Sequence, residues 1–329
     1  RIPSTELMSE KIAIVGISAL LPGAKNTSVF FNNVMSKRCF IENASDEWLC
    51  NSFSESETYV PGKIRSRLRA GIDQNAYFNP LSFGIIPKAI EGGDPDHYLS
   101  LSVASEALKD AMLPENYDHS KTGVVIGRGT YFNRGFGTVF QHGIVIEQTI
   151  NILKKFVDKE TMQIVEEQMI KTLPDFNSDM VGGVIPNLVS GRIANKLGLG
   201  GPNFLIDAAC ASSLIAVEYA SEQLQLRKAN LMLVGGVQAS TPPQVHMVFD
   251  ALDALAKSEL KPLSKNSEGT VLSEGVGFIT LCRLEDAEKL NLDVYATIEG
   301  FGSSSDGKGK GLFAPNSEGQ GLAIKRAYY

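Results

Sequence analysis

Cysteine is scarce in this 329-residue chain: four residues, Cys39, Cys50, Cys210 and Cys282, stand far apart with no C-x-x-C pair. That excludes a disulfide framework and the usual zinc spacings, and it fits a reducing, cytoplasmic setting. There is one tryptophan, and there are four histidines, His97, His119, His142 and His246, with no ligand-like spacing among them. Basic residues do not dominate either. Lys and Arg number 31 against 37 Asp and Glu, a net charge of −6, and no basic stripe stands out. A nucleic-acid partner is therefore not expected. No apolar run reaches the length of a bilayer span; the best, Ile12 to Leu21, is short and holds Gly16 and Ser18. The start, Arg1-Ile-Pro-Ser-Thr-Glu, has no apolar signal core.

What the chain does have is a 43% hydrophobic content and 31 glycines in short groups. Apolar strands that end in glycine, alternating with amphipathic helices, predict an α/β protein. Residues 1–10 read as a polar lead-in. Lys11-Ile-Ala-Ile-Val-Gly-Ile reads as a buried strand, and a helix follows Asn26 and Thr27. Residues 38–80 read as a long surface excursion. Asp94 to Ala111 reads as a helix capped by Asp94, with Pro95 in its first turn. Thr122 to Gly127 is a buried-type strand. Residues 139–172 read as helical with a break near Asp158, Val181 to Leu197 as one helix, and Asn203 to Asp207 as a strand. Cys210 to Leu226 reads as a helix and Ala229 to Val237 as a strand. Strand Gly275–Arg283, helix Glu285–Leu290, strand Val294–Gly300 and a helix from Glu318 follow.

The sharpest local signal is Gly201-Pro-Asn-Phe-Leu-Ile-Asp207-Ala-Ala-Cys210-Ala-Ser-Ser-Leu. A strand ends near Asp207, small residues carry a turn, and a helix begins at or beside Cys210. The positive end of a helix and its free N–H groups favour the nucleophilic thiolate. Small neighbours leave room for a carbonyl, and the Cys210 N–H can serve an oxyanion. The helix that follows is apolar nearly all round, which predicts a central, buried position. A buried, inert cysteine is the alternative reading of the same residues.

Around Cys210 the sequence resembles the β-ketoacyl synthase (ketosynthase) family of the thiolase superfamily. The resemblance rests on an ordered set. It begins with Ile12-Ala-Ile-Val-Gly-Ile and Leu21-Pro-Gly, followed by Asp94-Pro-Asp with its helix. Pro186-Asn187, Ser190-Gly-Arg-Ile-Ala and Gly201-Pro202 precede Asp207-Ala-Ala-Cys-Ala-Ser-Ser-Leu. After these come Val234-Gly-Gly-Val, Lys261-Pro262, Glu274-Gly-Val-Gly, Ser305-Asp-Gly and Ala314-Pro-Asn. Ala208 and Ala211 stand where Thr and Ser are usual. The resemblance implies a thiolase-like layered α/β/α/β/α fold over residues 11–329, with the N-terminal half at 11–270 and the start of a second, incomplete half at 271–329. It implies that Cys210 takes an acyl chain as a thioester from the phosphopantetheine arm of an acyl carrier protein. A malonyl-type thioester then loses CO2 and extends that chain. The pathway implied is polyketide or fatty-acid assembly.

Tyr131 and Phe249 fall where family members line the acyl pocket. No metal, nucleotide or flavin is implied. A homodimer, and other synthase domains on a parent chain, are. Cys210 separates this reading from a non-catalytic, chain-length-factor-like partner. A starter-unit condensing acyltransferase is a further alternative. The family's two catalytic histidine motifs, H-G-T-G-T and K-x-N-x-G-H, do not occur. The four histidines present are expected to be structural, and the catalytic ones to lie downstream of Tyr329.

Three other signals carry less. Gly302-Ser-Ser-Ser-Asp-Gly-Lys-Gly nearly spells a phosphate loop but lacks the Ser/Thr after its lysine. Gly127-Arg-Gly129 lacks the third glycine of a dinucleotide fingerprint. Ser258-Glu-Leu-Lys261 matches S-x-x-K with no partner motif. Residues 131–176 depart most from the family pattern and read as a helical insertion, packed on the domain or at a contact between copies; a cover over the acyl site or a carrier contact is the sharper alternative.

Overall fold

The structure is a computed structural model that describes residues 10–49, 53, 58–129, 134–173, 178–308, 311 and 313–328. Strand β1 (Ile12–Leu20) leads to helix α1 (Thr27–Met35), whose N-terminus is capped by the Asn26 side chain accepting from Val29 N. The 38–80 stretch holds β2 (Glu42–Asn43), α2 (Asp46–Leu49) and β3 (Leu68–Ala70). It is not only a surface excursion: Ile64, Ser66, Arg69 and Ile72 are buried. Its polar sequence hides this because the burial depends on distant partners.

Helices α3 (Lys88–Gly92) and α4 (Pro95–Asp110) follow. Asp94 caps α4 by accepting from Asp96 N at 3.0 Å, and Pro95 opens it, as the sequence predicts. Strand β4 (Thr122–Gly127) is buried throughout. The helical stretch after it comprises α5 (Arg134–Phe140), a π-helical turn at Gln141–Val145, α6 (Ile146–Leu153) and α7 (Lys159–Thr172). Asp158 marks the break and caps α7. Many apolar side chains here are exposed, Val139, Phe140, Ile144, Ile152 and Phe156 among them; in α6 only Ile146 and Ile150 are buried.

The single helix expected over 181–197 is two, α8 (Ser178–Val184) and α9 (Leu188–Leu197), parted at Pro186, which has no N–H to continue the ladder. Then come β5 (Asn203–Ile206), α10 (Ser212–Gln225), β6 (Leu231–Gln238), α11 (Pro243–Ala251), β7 (Leu272–Ser273), β8 (Gly275–Arg283), α12 (Leu284–Lys289), β9 (Ala296–Ile298) and α13 (Ser317–Tyr328).

Six strands form one mixed sheet in the order β5-β4-β6-β8-β1-β9. Strands β5, β4 and β6 are parallel; β8 runs antiparallel to β6 and β1, and β9 antiparallel to β1. Alternation along the strands divides the core. Val124, Ile126, Leu233 and Phe278 face Leu99, Val103, Ala104, Val189 and Ile193 of α4 and α9. Val125, Met232, Val234 and Leu281 face Ala216, Ala220 and Leu224 of α10. The described residues thus build an α/β/α unit, with a small second sheet, β2-β3-β7, beside it.

Candidate active site

The turn at Cys210 is built by its own short side chains. Asp207 Oδ1 accepts from Ala209 N at 3.0 Å. Ser212 Oγ accepts from Ala208 N at 2.8 Å and donates to Ala209 O at 2.6 Å. These bonds hold Ala209 in the left-handed region, at φ 51°, a conformation that is costly for a residue with a Cβ. Cys210 sits at the tip of this elbow, exposed, two residues before α10 begins at Ser212. The sequence expects the helix to start at or beside Cys210, and the structure places it just after.

Two glycines let α10 descend onto the sheet. A Cβ at Gly127 would lie 2.3 Å from Ser213 N, and one at Gly236 would lie 2.9 Å from the Ser213 Cβ. No larger residue fits at the end of β4 without moving the helix. The helix itself is only half-covered: Ala216, Ala220 and Leu224 are buried, whereas Leu214 is 73% exposed. The expected burial on all sides is not found, because among the described residues the sheet covers one face of α10 and no layer covers Leu214 on the other.

Cys210 opens into a pocket of about 340 Å³ lined by Gly127, Arg128, Gly129, Ala209, Ser212, Ser213, Gly236, Val237, Gln238, Ser273, Glu274 and Gly275. The lining gathers the carboxyl ends of parallel strands β4 and β6 and the start of β8, the end of an α/β sheet where ligands bind. Two charged residues in it are themselves buried. Arg128 Nε donates to Asp96 Oδ2 at 2.5 Å, and its Nη2 lies 3.6 Å from Asp94. Glu274 Oε2 accepts from Arg69 Nη2 at 3.2 Å and from Ile72 N at 3.1 Å. Its Oε1 accepts from Thr241 N at 2.9 Å and Thr241 Oγ1 at 3.2 Å.

Sequence reading singles out Cys210 but neither buried pair. Their signals were faint: Arg128 lies between the two glycines of an incomplete dinucleotide fingerprint, Asp96 is an acid on the buried face of α4, and Glu274 opens a glycine motif. Phe249 is half-buried in α11 and is not among the residues that line the pocket. Tyr131 lies outside the described residues. No histidine lines the pocket. His97 and His246 are fully buried. Burial, helped by Arg192 and Arg128, pushes His97 down to about 3; burial, helped by Arg69, pushes His246 down to about 4. Both rings are neutral near pH 7.

Among the described residues no group of His, Cys, Asp and Glu has a metal-holding arrangement. The near-phosphate loop is tied to α13 instead, through Ser304 Oγ to Gly319 O and Arg326 Nη1 to Ser303 O. Ser258 and Lys261 pair with Glu268 and Glu259. A larger groove, about 1210 Å³, lies on the α4 face between α1, α4 and β1. It holds neither cysteine nor histidine, and its Asp110 is occupied by Ile17 N and Tyr295 Oη. The smaller pocket, not this groove, holds Cys210. No helix among the described residues is long and apolar enough to cross a membrane.

Residues 9–287 match the family model described as Beta-ketoacyl synthase, N-terminal domain. The chain is 27% identical to polyketide synthase PksN of Bacillus subtilis over 97% of its own length and 5% of that protein. It is 27% identical to a polyunsaturated fatty acid synthase protein of a Thraustochytrium species, over 98% of its length and 12% of that protein. A solved ketosynthase from module 6 of the bacillaene synthase of Bacillus subtilis superposes with a TM-score of 0.74 and 26% identity, covering 97% of this chain and 48% of that one. The chain therefore spans a small part of these synthases and about half of the solved domain.

Proposed function

Because the chain belongs to the β-ketoacyl synthase family, we propose that it carries the acyl-accepting site of a condensing enzyme in polyketide or fatty-acid assembly, with Cys210 as the nucleophile. The observation that carries this reading is the placement of one exposed thiol at the tip of a tight elbow, open to a pocket at the carboxyl ends of parallel strands.

The chemistry follows from that placement. The Cys210 sulfur attacks the carbonyl carbon of an acyl thioester borne by the phosphopantetheine arm of a carrier protein. The carbonyl oxygen takes up negative charge in the tetrahedral intermediate, beside the N-terminus of α10 and the Cys210 N–H. The bond to the pantetheine sulfur breaks, and that thiol leaves with a proton. In the second stage a malonyl-type thioester loses CO2, and its carbon attacks the Cys210 thioester. Cys210 then leaves as the β-ketoacyl product forms. Sulfur suits both roles, as nucleophile and as leaving group. The first stage uses groups that this chain holds. The second draws on groups other than His97, His119, His142 and His246, none of which lines the pocket.

A carrier protein, a second copy of the chain and neighbouring synthase domains are the partners that go with this reading, in a cytoplasmic setting. This reading calls for no resident cofactor, because the pantetheine arm arrives with the substrate. The test incubates the full-length protein with an acyl-pantetheine thioester and reads the adduct by intact mass and peptide mapping. One acyl group on Cys210 is expected. An adduct that persists undiminished in Cys210→Ala refutes the assignment.

A further inference from the structure

We infer that Glu274 is a positioning residue that sets the wall of the pocket facing Cys210, and so decides how well an acyl chain is accepted there without altering the thiol itself; this rests on the reading of Cys210 as the acyl acceptor. Glu274 lines the pocket with its neighbours Ser273 and Gly275. Its side chain is buried, and its two oxygens accept four hydrogen bonds from two separate segments. One oxygen holds Arg69 and Ile72, the exit of β3. The other holds Thr241, beyond the end of β6. The backbone joins in, with Glu274 N donating to Ala70 O at 2.9 Å.

Glu274 therefore ties the small sheet to the large one at the pocket rim. The β6 exit that it holds carries Val237 and Gln238, which also line the pocket. That exit is fixed a second time, by Asp96 Oδ1 accepting from Ala239 N at 2.8 Å. Cys210 is not among the groups that Glu274 bonds. The carboxylate acts on the wall, and the elbow is held independently by Asp207 and Ser212.

Glutamine is the discriminating substitution. It keeps the shape but has a single acceptor oxygen, so its NH2 must face either Arg69 and Ile72 N or Thr241 N, donor against donor. One segment is released whichever way the amide turns.

The experiment compares the full-length protein with Glu274→Gln and Thr241→Val. Two reagents report on Cys210: iodoacetamide, which needs only the thiol, and octanoyl-pantetheine, which must fit its chain into the pocket. For Glu274→Gln the alkylation rate is expected to stay within about twofold while half-saturation for octanoyl-pantetheine rises at least about tenfold. Thr241→Val loses one of the four bonds and should shift half-saturation in the same direction by less. Unchanged half-saturation in Glu274→Gln overturns the inference. So does an equal fall in both reactions with a lowered melting temperature, since Glu274 would then support the fold at large. An unsubstituted protein that is alkylated at Cys210 but never acylated overturns the reading of Cys210 itself, and the role of Glu274 with it.

Discussion

Asp96 and Glu274 hold the same stretch of chain: Asp96 Oδ1 accepts from Ala239 N at 2.8 Å, and Glu274 Oε1 accepts from Thr241 N at 2.9 Å. One carboxylate comes from α4 and the other from the junction of β7 and β8. Between them they fix the exit of β6, which lines the pocket of Cys210. Each carboxylate also carries a buried arginine, Arg128 or Arg69. The exit of β6 is thus bonded from two layers of the fold.

Breaking this arrangement at Asp96 is expected to be expensive. Asp96→Asn sets an NH2 against either Arg128 Nε or Ala239 N, and in both cases leaves the more distant Asp94 as the carboxylate beside buried Arg128. Removing one partner of a buried ion pair costs about 3–5 kcal/mol. Urea denaturation of the two proteins should show a loss of that order. A loss under about 1 kcal/mol would mean that the pair is solvated.

The cysteines should separate cleanly. Cys282 is buried, and burial pushes its thiol up to about 12, so it should resist iodoacetamide in the native protein at about pH 8. Cys39 is exposed and should alkylate, but it should carry no acyl group from a thioester donor. Peptide mapping after each reagent distinguishes them. Octanoyl groups on Cys39 at the same level as on Cys210 would mean that the elbow confers no selectivity.

Gly127→Ala tests the descent of α10 onto the sheet. The added methyl would lie 2.3 Å from Ser213 N, so the helix start must shift. Overpacking of this kind costs about 1–3 kcal/mol. Because Cys210 stands two residues before that helix, acylation should slow along with the loss of stability. Alanine at 127 with normal acylation and a normal melting temperature would contradict the close approach.

The buried histidines predict a pH dependence. His97 and His246 have their values lowered from 6.5 to about 3 and about 4, chiefly by burial. The unfolded chain therefore binds these protons more readily than the folded one between those values. Their contribution to stability is complete above about pH 6.5 and is lost as the pH falls toward 4 and then 3. For His246 the full effect is on the order of 3 kcal/mol, at about 1.4 kcal/mol per unit. His246→Phe retains an aromatic ring against Trp48, which His246 meets edge-on at 4.7 Å, and cannot take up a proton. Its stability should fall less steeply between pH 6.5 and 4 than that of the parent. Equal slopes would show that His246 is already hydrated in the folded state.

The amino-acid sequence by itself determined the elements whose cause is local. Asp94 and Pro95 announce α4, Asp158 caps α7, and the apolar run Thr122–Gly127 is β4, because caps, proline geometry and strand burial act within a few residues. The small turn Asp207–Ala211 likewise marks Cys210, since Asp207 and Ser212 bond to their near neighbours there. Boundaries that depend on a neighbour's backbone were less legible, as the division of 181–197 at Pro186 shows. What only the tertiary structure decided is which distant residues share the site. Glu274 meets Arg69 and Thr241, Asp96 meets Arg128 and Ala239, and Gly127 meets Ser213 across separations that no local pattern encodes. A charged residue can be buried only when its partner is brought to it, and sequence spacing along one strand or helix says nothing of a partner on another. The exposed face of α10 has the same origin: its apolar residues are written in the sequence, but which of them is covered depends on what packs against it.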